Sequence, residues 1–166
     1  MTFASLPSGT AIFLDANTLI YHFTNDPKYG PACTRLLKRI EQHDLSGFTS
    51  AHALADVAHR LMTLEAIQQN NWPQAGIAAR LRKKHDAIPK LSVYQQAVAR
   101  IPLLGIQVLP ITYPQVEAAT LLSQQYELLT GDALVVVVMR HQGLTDLASA
   151  DDDFDRVPGL TRYGPG

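Results

Sequence analysis

The chain has 166 residues, of which 46% are hydrophobic and 17% are charged, and its formal net charge is −1. These values exclude a disordered chain and predict one domain, residues 1–166, with its own apolar core. The charge does not by itself indicate a nucleic-acid partner, so any basic surface has to be local. Cys33 is the only cysteine and excludes an internal disulfide. Without a signal peptide or a long apolar run, we expect a cytoplasmic protein with no membrane partner.

The first half of the chain alternates between short extended segments and longer helical ones. The strands and helices predicted there are a strand at Ala11–Leu14, a helix beginning in Thr18–Phe23, a helix at Pro31–His43, a short strand at Gly47–Thr49 and a helix capped by Ser50 that runs to about Glu65.

The second half continues this alternation. Its predicted elements are a helix that starts at Asn70–Pro73 and ends before Pro89, a helix capped by Ser92 that runs to about Ile101, a strand at Ile106–Ile111, a helix at Pro114–Tyr126 and a strand at Leu144–Ser149. Short strands that alternate with helices predict an α/β fold. We expect a three-layer α/β/α sandwich with a central, mainly parallel sheet.

The segment Leu134–Met139 is ambiguous from its residues alone. Its four consecutive valines favour a strand, because β-branched residues prefer extended structure. Thr130 as a cap, Asp132 near a positive helix end and Gly143 after a helix end favour a helix instead.

Four acids stand where strands end or helices begin. Asp15 and Asp151 follow two of the predicted strands, while Asp56 and Asp132 lie on or at the start of predicted helices. Ligands of open α/β sheets bind beyond the carboxyl ends of the strands. Clustered carboxylates repel one another unless a cation neutralises them, and their oxygens suit Mg²⁺ or Mn²⁺. This pattern indicates metal-assisted cleavage of a phosphodiester.

Each acid also has a simpler explanation. Asp56 shares a helix face with His52 and His59, which favours either a solvated face with an Asp56–Arg60 pair or a zinc site of poor geometry. Asp132 alone would complement the helix dipole.

The acidic run at residues 151–155 is also typical of a surface turn. A calcium loop is excluded there, because Arg156 and Arg162 occupy the positions of the required Gly and Glu.

Four segments resemble, in order and spacing over residues 11–154, the signature regions of PIN-domain ribonucleases, and most of all the VapC-type toxins of prokaryotic toxin–antitoxin pairs. They are Phe13–Ile20, Thr49–Leu61 around Asp56, Leu129–Leu134 and Leu147–Phe154. The resemblance implies that the valine run is a helix over 130–142.

The resemblance also implies roles for individual residues. Asp15, Asp132 and Asp151 would bind Mg²⁺ or Mn²⁺ and, with Asp56, form the catalytic set. Asp153 would be an auxiliary acid, and Asn17 and Ser149 would support the site. The family usually has Glu at the position of Asp56, whose side chain is shorter by roughly 1.5 Å.

The implied function is a metal-dependent endoribonuclease that cleaves single-stranded or looped RNA as the toxin of a toxin–antitoxin pair. The implied partners are RNA, an antitoxin and a second copy of the chain. The basic run Arg80, Arg82, Lys83 and Lys84 is either a solvated helix face or an RNA-phosphate contact.

Two other functions remain open from the sequence. One is a PIN-like module that binds RNA or a partner but has weakened catalysis. The reason to consider it is Asp56, which stands where the family usually has Glu. The other is a haloacid-dehalogenase-like phosphatase, because Asp15–Leu19 echoes the start of that class. Asn17 replaces the acid that this phosphatase class needs for proton transfer.

Overall fold

The molecule is built around one parallel sheet. A computed structural model describes all residues, 1–166. Five strands pair in the order β3-β2-β1-β4-β5, and every pair is parallel. Their bounds are β1 Ala11–Leu14, β2 Ser46–Ser50, β3 Gln107–Leu109, β4 Asp146–Ala148 and β5 Thr161–Tyr163.

Helices cover both faces of this sheet, which confirms the predicted three-layer α/β/α fold. They are α1 Ala16–Phe23, α2 Gly30–Glu41, α3 Ala51–Asn70, α4 Ile77–Lys83, α5 Val93–Leu103, α6 Tyr113–Tyr126 and α7 Thr130–His141. One apolar core joins the sheet to α1, α2, α3 and α5, and a second joins it to α6 and α7. None of these helices combines the length and the apolar character that crossing a membrane requires.

The valine run forms the middle of α7 in spite of its β propensity. Val136 and Val138 are fully buried, and Val135 is nearly so. A helix that is apolar on almost every side is typical of a buried position. Packing between the sheet and α6 therefore overrides the local preference, as the helix prediction for 130–142 requires.

Three sequence-based boundaries were wrong. Asn70 ends α3 instead of starting a helix, because Asn71 adopts a left-handed φ of 52° that terminates it. The next helix begins only at Ile77, after Gly76 at a φ of 70°. The third strand is shorter than predicted, since Pro110 follows it and cannot donate to a ladder. The edge strand β5 was not predicted.

The sheet brings the ends of β1 and β4 side by side. Leu14 is in register with Ala148, and the next amide, that of Asp15, donates to the Ala148 carbonyl at 3.1 Å. The buried Thr18 hydroxyl donates to the same carbonyl at 2.9 Å. The buried Thr49 hydroxyl at the end of β2 donates to the Leu14 carbonyl, also at 2.9 Å. These contacts hold the carboxyl ends of β1, β2 and β4 together.

Candidate metal and nucleic-acid site

Asp15 is the buried centre of the site, with only 7% of its surface exposed. Its Oδ2 accepts a hydrogen bond from the Ser149 hydroxyl at 2.8 Å and a longer one from the Asn17 amide at 3.4 Å. Its Oδ1 accepts from the Ala16 backbone N–H at 2.7 Å. Burial raises the pKa of Asp15, the hydrogen bonds from Ser149 and Ala16 oppose that rise, and the charges of Asp151 and Asp56 add to it.

Ser149 connects the ends of three strands. Its own backbone N–H donates to the carbonyl of Tyr163 in β5 at 3.0 Å, and its hydroxyl accepts from the Asp151 N–H at 3.1 Å. The same hydroxyl donates to Asp15. A single buried side chain thus fixes the position of Asp151 relative to Asp15.

Asp132 joins this neighbourhood from the first turn of α7. Its pKa is raised from 3.8 to about 6, first by burial and then by the negative charges of Asp15, Asp151, Asp153 and Asp56. The acids predicted from four distant segments therefore act on one another electrostatically. Gly131 helps α7 approach α3, because a Cβ there would lie only 3.1 Å from Nε2 of His52.

An open cleft of about 630 Å³ lies between α1 and α3. Asp15, Asn17, Asp56 and Asp132 line one part of it. The Asp56 side chain is 59% exposed, and its Oδ2 lies 3.4 Å from Nε2 of His52. The structure thus gathers three of the four predicted catalytic acids around one opening.

The structure supports neither the Arg60 pair nor the zinc site that the sequence left open for Asp56. Its carboxylate lies beside the His52 ring and makes no ion pair with Arg60, so the expected pair with Arg60 was wrong. The ligand atoms of His52, Asp56 and His59 do not come together as a metal-binding group, which removes the zinc alternative.

The turn after β4 gathers a second set of carboxylates. One oxygen from each of Asp151, Asp152 and Asp153 lies within 4.8 Å of the others. Asp151 also belongs to the predicted set, whereas the exposed Asp152 was not singled out from the sequence. The Asp151 Oδ1 accepts the Asp153 N–H at 3.0 Å, so this geometry is partly that of a capped turn.

Two arginines neutralise part of this turn and were missed by the sequence analysis. Arg156 donates to Asp153 at 2.6 Å and to the Glu127 carbonyl at 2.9 Å. Arg162 holds Asp155 through two hydrogen bonds, at 2.8 and 2.7 Å. The only signal in the sequence was the three-residue spacing from Asp153 to Arg156.

The predicted basic patch lies away from the acids, on α4. That helix packs against the carboxyl-terminal part of α3, and Arg80 lies 6.0 Å from the centre of the Trp72 ring. Along α3, the end at Asn70 is about 20 Å from Asp56, at the usual helical rise. Arg80, Lys83 and Lys84 border a shallow cavity of about 350 Å³, and Arg82 is exposed beside them. The patch therefore does not contribute to the acidic cleft itself.

Several solved structures of known proteins have a similar fold. A structure of VapC20 from Mycobacterium tuberculosis, described as a sarcin–ricin loop cleaving toxin, is 19% identical and has a TM-score of 0.58, covering 87% of this chain and 92% of that one. VapBC2 from Rickettsia felis, bound to a DNA fragment from its promoter, is 13% identical with a TM-score of 0.55 over 93% and 98%. A toxin–antitoxin complex from Klebsiella pneumoniae is 18% identical with a TM-score of 0.55 over 90% and 95%.

These identities establish a shared fold and nothing finer. No curated protein matches the chain significantly. The sequence model of the PIN domain, however, matches residues 12–160, which is nearly the whole chain and contains all four predicted catalytic acids. The chain therefore belongs to the PIN-domain family, a family of nucleases.

Proposed function

We propose that the protein is a metal-dependent endoribonuclease that cleaves single-stranded or looped RNA and acts as the toxin of a toxin–antitoxin pair. The observation that carries the proposal is Asp15, a buried carboxylate held by neutral donors beside Asp56 and Asp132 in an open cleft. Family membership supports nuclease chemistry over the phosphatase alternative. The loop-cleaving activity named for VapC20 supports RNA as the substrate.

The donor set fits a hard divalent cation. Asp15, Asp132 and Asp151 offer carboxylate oxygens only, and the pKa values of Asp15 and Asp132 are raised first by burial and further by the negative charges of neighbouring acids. Such a set favours Mg²⁺ or Mn²⁺. When bound, the ion would lower the pKa of a water and stabilise negative charge on the phosphate. Asp56 would complete the site at its exposed edge.

The remaining residues keep these acids in place. Ser149 and Asn17 occupy Oδ2 of Asp15, whereas Oδ1 accepts one hydrogen bond and keeps capacity for a cation. Ser149 also fixes Asp151 through its backbone. We infer that Asp153, because it is paired with Arg156, supports the turn as an auxiliary acid.

The partners follow from the same proposal. The cations at the end of α4 and just after it, which are Arg80, Arg82, Lys83 and Lys84, would bind RNA phosphates at a distance from the cleft. Exposed apolar side chains on α5, Leu103 at 80% and Val93 at 54%, offer surface for a second copy of the chain or an antitoxin. Similar folds in a VapBC protein and a toxin–antitoxin complex support an antitoxin partner. A cytoplasmic location would suit such a pair.

The test is cleavage of a structured RNA with and without Mg²⁺ or Mn²⁺, together with the Asp15→Asn variant. We expect metal-dependent cleavage that falls by at least about a thousandfold in the variant, since several kcal/mol of transition-state stabilisation are lost. Thermal stability should be equal or higher, because a buried charge is removed. Metal-dependent cleavage that survives in Asp15→Asn would refute the proposal.

A second function is favoured by one feature of the cleft. Asp56 is shorter than the usual acid and is drawn toward His52. A PIN-like module that binds RNA without cutting it would have this weakened edge. Tight RNA binding without cleavage under either metal would select that function.

A further inference from the structure

The acidic cleft contains a single arginine and no lysine. Thirteen residues line it, and its other formal charges are carboxylates, those of Asp15, Asp26, Asp56 and Asp132. Arg60 is therefore the only permanent cation that the cleft offers to a polyanion. Negative charge of this density repels an RNA strand, so any phosphate that enters needs a cation from the metal or from Arg60.

Arg60 differs from every other half-buried arginine of the chain because its guanidinium has no partner. Arg39 and Arg162 are held by carboxylates, and Arg80 lies over the Trp72 ring. Arg60 makes no ion pair and no side-chain hydrogen bond, although Asp56 lies only one helical turn away; its carbonyl alone is used, by the Thr63 hydroxyl. Five N–H donors thus remain available inside a ligand-sized cleft.

The position of Arg60 relates it to the acids. Arg60 lies four positions after Asp56 in α3, a rise of about 6 Å along the helix axis. Leu64 lines the cleft one turn further on, and Tyr21 of α1 lines it as well. A strand whose reacting phosphate lies at Asp15 would therefore reach Arg60 with a neighbouring phosphate if it followed α3.

We propose that Arg60 binds the phosphate next to the scissile one and so sets the path of the RNA strand along α3. The planar guanidinium can donate two parallel hydrogen bonds to one phosphate, which fixes orientation as well as position. This inference rests on the proposed ribonuclease function and assigns its positioning residue. Arg60 acts on binding and alignment, while the carboxylates act at the bond that breaks.

The experiment separates binding from cleavage. Binding of a single-stranded RNA oligonucleotide is measured by fluorescence anisotropy over a range of KCl concentrations, in the full-length Asp15→Asn protein with and without Arg60→Ala. We expect Arg60→Ala to raise Kd about tenfold, the value of one charge-assisted contact. The slope of log K against log[KCl] should shrink by about 0.7, which corresponds to one phosphate of a single strand.

Two further variants make this result specific. Arg60→Lys keeps the charge and should restore the slope but only part of the affinity, because an ammonium cannot bind in a bidentate way. Arg140→Ala makes the same charge change at the far end of α7 from Asp132, and should leave both Kd and slope unchanged. In the cleavage-competent protein, Arg60→Ala should raise KM about tenfold with a smaller effect on kcat.

Each other outcome overturns the inference or its premise. An unchanged slope in Arg60→Ala overturns the role of Arg60 while leaving the nuclease function intact, and so does an equal loss in Arg140→Ala. Weaker binding with the original slope would show a structural effect and also overturn it. Absence of RNA cleavage by the wild-type protein with either metal overturns the proposed function instead, and the binding slope still reports on Arg60.

Discussion

Two carboxylate clusters follow the parallel strands, and they are held in opposite ways. In the cleft, Asp15 accepts hydrogen bonds from a hydroxyl, an amide and a backbone N–H, all of them neutral. In the turn after β4, Asp153 and Asp155 are each held by an arginine. Neutral donors orient a carboxylate and leave its charge in place, whereas an arginine cancels the charge.

This difference shows which acids are available to a cation. In the turn, arginines of the chain itself neutralise Asp153 and Asp155. The cleft keeps several carboxylates close together, and burial first, then the negative charges of the other acids, raise the pKa of Asp132 to about 6. Asp151 connects the two regions, since its backbone is tied to Ser149 and its side chain caps the turn. We therefore expect substitutions in the cleft to change metal-dependent cleavage, and substitutions in the turn after β4 to change it little.

Removing the Ser149 hydroxyl is the strongest way to break the order of the cleft without touching a carboxylate. Ser149→Ala leaves Oδ2 of Asp15 without its shortest hydrogen bond and the Asp151 N–H without its acceptor. Loss of such a supporting contact typically lowers metal affinity or activity by about 10- to 100-fold. We expect a loss of this size in Mg²⁺-dependent cleavage, measured as a function of Mg²⁺ concentration.

Thr49→Val is the matched control, because it also deletes a buried hydroxyl but one that donates to the Leu14 carbonyl. Both variants should lose about 1–3 kcal/mol of stability, since each leaves a buried polar group unpaired. Cleavage should fall in Ser149→Ala alone. Equal cleavage losses in the two variants would mean that Ser149 acts only through stability.

The charge held in the cleft also predicts a pH-dependent cost in stability. A carboxyl whose pKa is raised on folding stabilises the protein fully below its unfolded pKa and loses that contribution as the pH rises through the folded value. For Asp132 the loss falls between pH 3.8 and about 6. Without metal, Asp132→Asn should therefore be more stable than wild type at pH 8, by on the order of 1 kcal/mol after allowance for solvent screening.

Thermal melting with EDTA at pH 8 and near pH 4 measures this effect. The advantage of Asp132→Asn should shrink at the lower pH, because the carboxyl in the folded wild type is then protonated and most of the cost of its charge is gone. A gap in Tm that is the same at both pH values would contradict a raised pKa at Asp132. Added Mg²⁺ should stabilise the wild type more than the variant, because a ligand stabilises the state that binds it.

Much of the fold could be predicted because its signals are local and strong. Ala11–Leu14 is an apolar run that ends at an acid, and this pattern correctly placed Asp15 at the carboxyl end of a buried strand. Helix α7 could not be predicted from local propensity, because its valines favour a strand. Only burial on nearly all sides favours the helix. Strand β5 could not be recognised because it lacks an apolar run, since two of its three residues, Thr161 and Arg162, are polar.

The partners of charged residues could not be predicted from spacing. Asp56 has His52 four residues before it and Arg60 four residues after it, and helical spacing does not discriminate between them. The structure pairs Asp56 with His52 and leaves Arg60 facing the cleft. Likewise, Arg162 reaches Asp155 only because β5 pairs in parallel with β4. Such pairings depend on tertiary placement and not on the local sequence.

The smallest effect is expected in the turn after β4, where arginines hold the carboxylates. Asp155→Asn removes the ion pair with Arg162, in which the carboxylate is more than half exposed. Exposed pairs contribute about 0–1 kcal/mol, so the change in Tm should be slight. Metal-dependent cleavage should remain at the wild-type level, because Asp155 does not line the cleft.

A large loss of cleavage in Asp155→Asn would show that Arg162 couples the turn to the cleft, since Arg162 also donates to the Ser149 carbonyl at 3.3 Å. The cleft acids and the turn acids would then be coupled electrostatically. In that case it would make no difference that the cleft acids have neutral partners and the turn acids have arginines.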